Sequence, residues 1–100
     1  MSIKALLTRI LNSLTFSVEV VEGTETTIGA GTTSWININT AKSGKKPIAV
    51  TGYYLIGDYG YECSVYCIQP SSIGNYIAVY NGKTHTAKIT PRLYVLYQKA

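Results

Sequence analysis

Charge is scarce in this sequence. Only 14% of its 100 residues are Asp, Glu, Lys or Arg, against roughly a quarter in an average globular domain. It has five acidic residues, two cysteines and one histidine, and each shortage removes a class of chemistry. Glu19, Glu22 and Glu25 fall in one early stretch. Asp58 and Glu62 flank a glycine-bounded turn and read as a turn residue and a solvated strand residue, so no pair is set across a glycosidic bond. The one histidine, His85, stands between Thr84 and Thr86 as an exposed hairpin arm, a poor centre for a Ser/His/Asp triad. Cys63 and Cys67 are four residues apart. In a regular strand they would share a face about 13 Å apart, beyond the ~7 Å a disulfide spans. Their spacing is not a zinc knuckle. They read as small buried thiols of a chain made in a reducing compartment. No glycine-rich loop precedes a helix, so no phosphate cradle is expected. The expectation is a protein that is not an enzyme, with no catalytic residue, no metal and no cofactor.

Long apolar runs are also missing. None approaches the ~20 residues needed to cross a bilayer. Residues 1–14 are interrupted by Thr8, Arg9, Asn12 and Ser13, unlike a signal peptide. The expected origin is the cytoplasm of the cell that makes it, with no membrane insertion. The net charge is +4, but the lysines cluster only at Lys42, Lys45 and Lys46 around Gly44. With no arginine-rich run and no nucleic-acid motif, nucleic acid is not an expected partner.

What the chain has in excess is tyrosine, nine in all, within a 46% hydrophobic composition. One hundred residues make one small domain. A domain of that size buries somewhat over about 60% of its unfolded surface, too little for nine tyrosines. The simplest resolution is an oligomer, in which neighbouring subunits cover aromatic surface. The alternative is a monomer with a threonine-rich surface.

Residues 1–14 carry Ile3, Leu6, Leu7, Ile10, Leu11 and Leu14, the spacing of an amphipathic helix with one apolar stripe. Such a helix is marginal alone. It must dock on its own β-domain or pack with copies of itself along an a/d-like seam. From residue 15 the period becomes two. Phe16, Val18 and Val20 alternate with Ser17 and Glu19 as a half-buried strand, and Ile36 and Ile38 oppose Trp35, Asn37 and Asn39. The stretch 47–79 reads as the centre. Strands at 48–56 and 61–68 form a hairpin pair around the turn Gly57-Asp58-Tyr59-Gly60, and a third strand follows at 75–80. Gly52 in mid-strand marks a bulge or close backbone approach. Asn81-Gly82 is a strong hairpin signal, and Pro91 should interrupt the segment that follows. The closing strand, 92–98, sets Leu93, Val95 and Tyr97 against Tyr94 and Leu96. The expected fold is all-β. It is an antiparallel, jelly-roll-like β-sandwich of seven to eight short strands over residues 15–100, preceded by the helix. Tyr94 and Leu96, on the second face of an otherwise core strand, join Ile3, Leu6, Leu7, Ile10 and Leu14 as an expected oligomer interface. Asp58, Tyr59 and Tyr61 at the central turn are the candidate ligand contacts.

The segment 42–98 resembles the small C-terminal tip domains of bacteriophage tail fibres, head fibres and minor structural proteins. The resemblance rests on A-K-S-G-x-x-P-I-A-V-x-G-Y at 41–53, Cys-Ser-Val-Tyr at 63–66, the Asn-Gly turn, and the closing L-Y-V-L-Y-x-K at 93–99. It implies a homotrimeric β-sandwich on the virion surface, in contact with other virion proteins and associated with attachment to the host surface or its glycans. The short helix departs from the long shafts that usually precede such tips. A capsid decoration or cement protein of the same build, and a small carbohydrate-binding module, are the alternatives.

Overall fold

The structure is a computed structural model that describes every residue except Met1 and Leu14, with the backbone alone at residues 11–13. One helix, α1 (Ile3–Ser13), is followed by β1 (Phe16–Glu22), β2 (Thr26–Ile28), β3 (Thr33–Asn39), β4 (Lys45–Asp58), a 3-10 turn (Gly60–Glu62), β5 (Cys63–Pro70), β6 (Gly74–Asn81) and β7 (Ala87–Lys99). The chain is mostly strand, and all its strand pairings are antiparallel.

The strands form two sheets. In the larger, β7 runs along β4 on one side and along β1 and then β2 on the other; in the smaller, β6 lies between β3 and β5. Strict alternation makes β7 the axis. Ala87, Ile89, Leu93, Val95 and Tyr97 are buried, and Tyr94 is turned out. They meet Ile36 and Ile38 of β3 and Ile77 and Val79 of β6 in one core supplied by both sheets. Tyr97 is the largest side chain fully inside. Its hydroxyl donates to the Thr40 carbonyl at 2.6 Å, as a buried phenol requires. Burial, with Glu19 nearby, pushes that phenol's pKa up.

Several expectations are corrected. Pro91 does not interrupt the last strand. β1 pairs as far as Arg92 and β2 begins at Ile89, so a gap faces Pro91 on that side. Gly23 N–H donates to the Pro91 carbonyl at 2.8 Å. A strand residue's nitrogen and carbonyl point the same way, so the missing N–H faces the gap and no ladder bond is lost. The strands around the central turn are not partners either: β4 pairs β7, β5 pairs β6, and the turn carries the chain between sheets. Asn81-Gly82 likewise opens a crossing and not a hairpin. Asn81 is buried. Its amide donates to the Ile28 and His85 carbonyls at 3.0 and 2.6 Å, and its Oδ1 accepts from Lys83 N–H.

Strand parity also differs in two places. Phe16, Val18 and Val20 face outward and are exposed, because Val21 enters the core and sets the inward parity for Ser17 and Glu19. Cys63 and Cys67, both free and half-buried, do not share a face. A bulge between Val65 and Cys67 inserts Tyr66 into β5, after which Ile68 takes the core side. The expectation at Gly52 resolves both ways. A register shift lies beside it, and the Tyr94 ring covers it, 3.4 Å from where a Cβ would stand.

Through its described residues the helix packs on neither sheet. Ser2 caps it, accepting a hydrogen bond from Ala5 N–H at 3.1 Å. Ile3, Leu6, Leu7 and Ile10 are all exposed. The molecule measures 65 × 24 × 18 Å with a radius of gyration of 17.6 Å, against about 13 Å for a compact chain of this length.

Candidate functional site

β4 ends in a tight crossing over β7. At Gly57 φ is +128°, and a Cβ there would strike the Lys88 carbonyl, so only glycine allows the approach. Tyr59 follows in the left-handed region with φ 60°, a conformation costing a non-glycine residue about 1–2 kcal/mol. Glu62 N–H closes the 3-10 turn on the Tyr59 carbonyl at 3.0 Å. Non-glycine residues are held in such conformations mainly where the surroundings over-determine them, and here the surroundings are visible. The Tyr59 ring lies flat on the His85 ring, with centroids 4.1 Å apart and planes 2° from parallel. His85 Nδ1 meets Glu62 Oε1 at 3.0 Å. The Glu62 side chain is only 11% exposed, and its Oε2 is buried with no hydrogen-bond partner among the described residues.

The result is a tip with three rings. Tyr61, 83% exposed, stands 6.1 Å from Tyr59, and Tyr59 is braced by His85. Asp58 is exposed beside them, in register with Lys88. Asp58, Tyr59 and Tyr61 are thus together, but Tyr61 belongs to the turn and not to a strand face. Sequence reading missed two members. Glu62 is not a solvated strand residue, and His85 is not a free hairpin arm. The only signal was the presence of a carboxylate and an imidazole in one small domain, and their separation of 23 residues gave no local pattern. Cys63 Sγ reaches the Tyr59 carbonyl at 3.8 Å. Burial, with Glu62 adjacent, raises its thiol pKa, the reverse of an activated nucleophile. The arrangement presents rings; it does not prime a thiol for attack.

The expected interface residues fall on two uncovered surfaces. Ile3, Leu6, Leu7 and Ile10 form the exposed stripe of α1; Leu14 lies outside the described residues. Tyr94 and Leu96 lie on the outer face of the larger sheet, where Val20 is opposite Tyr94 and Val18 opposite Leu96, with Phe16 next along β1. Phe16, Val18 and Val20 are each about half exposed or more. The inner parity of β1 carries Glu19, which binds Lys42 at 3.2 Å and Lys45 at 2.5 Å. Those two lysines also line a hollow of about 450 Å³, and are already engaged by Glu19.

Among the described residues no cluster of three His, Cys, Asp or Glu side chains could hold a metal ion, and no helix is long and apolar enough to cross a membrane. No family model, curated protein or solved structure matches the chain.

Proposed function

We propose that this chain is a non-catalytic structural protein of a bacteriophage particle: a self-associating β-sandwich on the virion surface that contributes to attachment to the host surface. One observation carries the proposal. The apolar stripe of α1 and the outer apolar strip of β1 and β7 are both uncovered. An isolated helix of 11 residues is marginal in water, and exposed apolar patches of this kind mark contact surfaces. The i, i+3/i+4 spacing of Ile3, Leu6, Leu7 and Ile10 suits packing around a symmetry axis. The proposed state is a homotrimer, as in the tip domains the sequence resembles, with other virion proteins as neighbours. A core drawn from both sheets supports the sandwich. The exposed Asp58, Tyr59 and Tyr61 of the tip are the proposed contacts for a ligand outside the particle.

Size-exclusion chromatography with light scattering tests the assembly. Three chains per particle are expected, falling to one when residues 1–14 are deleted or when Leu6 and Ile10 are both changed to Asp. A monomeric full chain, or an oligomer indifferent to both changes, rejects the proposal. Protein that binds purified capsids while leaving cell adsorption unchanged would reassign it to shell decoration.

A further inference from the structure

We infer that the outer face of the β3–β6–β5 sheet is a binding platform for a neutral carbohydrate chain. This rests on the attachment part of the reading above, and it places the ligand on a surface other than the tip.

The register lays this face out in rows across the three strands. One row is Asn37, Tyr76 and Gln69; the next is Trp35, Ala78 and Cys67. Ala78, in the middle of that second row, is fully buried, so the rings of Trp35 and Tyr66 from the two flanking strands close over it. Tyr80 stands beyond that row, four residues from Tyr76 along β6, or about 13 Å at the strand rise. The exposed rings of Trp35, Tyr66, Tyr76 and Tyr80 thus extend over more than the length of a single sugar ring. Trp35 is half exposed but does not swing freely. It is held edge-on between Tyr66, at 6.2 Å and 80°, and Tyr76, at 6.5 Å and 82°. Tyr66 reaches it because the bulge in β5 places an extra residue there; bulges often re-aim a side chain beside a binding site. Trp35, Gln69 and Tyr76 line a hollow of about 350 Å³.

Polar groups on this face are amides and hydroxyls. The Ser71 hydroxyl donates to Asn37 Oδ1 at 2.7 Å, which fixes that side chain and leaves its amide N–H₂ as the donor. No outward position of these rows is charged at neutral pH, although the chain as a whole carries +4. Stacking rings without a single cation are unsuited to nucleic acid, whose binding depends on phosphate neutralisation. They are equally unsuited to an acidic polysaccharide. Braced rings for the apolar faces of sugars, with the held amide of Asn37 and the exposed amide of Gln69 for their hydroxyls, match an uncharged glycan.

Trp35 is the one tryptophan, so its emission reports directly on this face. The full chain is titrated with dextran, galactomannan and hydroxyethylcellulose, and with heparin and polygalacturonate as charged counterparts. Affinity electrophoresis runs in parallel, and light scattering follows the same samples. Expected are a blue shift of Trp35 emission and gel retardation with a neutral polymer alone. Tyr76→Ala and Trp35→Phe should weaken retardation about tenfold or more, and Gln69→Ala, which removes no core contact, several-fold. Tyr61→Ala should stay within twofold of wild type. The inference is overturned if no neutral polymer binds, if only charged polymers bind, or if Tyr61→Ala abolishes binding that Tyr76→Ala and Gln69→Ala leave intact. It is also overturned if Trp35 emission shifts with protein concentration alone, which would mean a second copy covers the face. Loss of glycan binding with the trimer intact removes this inference and not the assembly reading.

Discussion

Glu62 and His85 show how a small domain can hold a buried carboxylate. Glu62 Oε1 has the His85 imidazole at 3.0 Å, and Oε2 has no partner among the described residues. Removing the imidazole leaves both oxygens unpaired in a site that water barely reaches. His85→Ala is therefore expected to lower unfolding stability by about 1–3 kcal/mol, read from urea denaturation. The Glu62→Ala/His85→Ala double variant should lose less than the two single losses added together, because the stranded carboxylate goes with its partner. None of this was legible beforehand. The two residues are far apart in sequence, and each alone looked solvent-facing. The Tyr59 backbone was equally hidden, since nothing in the residue type announces a left-handed φ. What could be read was that the turn bounded by Gly57 and Gly60 would display aromatic side chains, because glycine marks sharp turns whatever the tertiary setting.

Among the elements, β7 was legible because its alternation is strict and its inward residues are all apolar. β1 was misread for an instructive reason. Its three outward residues are more apolar than Ser17 and Glu19 on its inward side, and periodicity gives a face but not its direction. β5 was misread because a bulge breaks the period without any glycine or proline to mark it. That bulge has a chemical consequence. Cys63 stays on the core side, where burial, then Glu62, raises its pKa, and Cys67 turns to the outer face beside Ala78. A higher thiol pKa means less thiolate at a given pH. Iodoacetamide at neutral pH should thus modify Cys67 several-fold faster than Cys63, with the gap narrowing as pH rises. Peptide mass spectrometry would read both sites, and equal rates would contradict the assigned faces.

At the scale of the whole molecule, the all-β, antiparallel character and the leading helix were readable from periodicity. The way the strands divide between two sheets was not, because the turns at 57–60 and 81–82 both looked like hairpins and both are crossings. One ionic feature ties distant parts of the chain together: Glu19 in β1 to Lys42 and Lys45 ahead of and within β4. Hydrogen bonds from Lys45 first, then Lys42, hold its carboxyl below its usual 4.5. A carboxylate with a depressed folded-state pKa adds stability that is complete above its unfolded value and is lost as pH falls through the folded-state value. Melting temperature should therefore drop on acidification below 4.5, and Glu19→Gln should flatten that part of the profile; an unchanged slope would dismiss the link. The position of β7 has a further consequence, one of timing. It follows in the chain every strand it pairs with, so the larger sheet cannot close until residues 87–99 have been synthesised. Until then β1, β2 and β4 leave the ribosome without the strand they pair with. Such non-local pairing also folds slowly, so the nascent chain passes through an aggregation-exposed interval that ends only with its last strand.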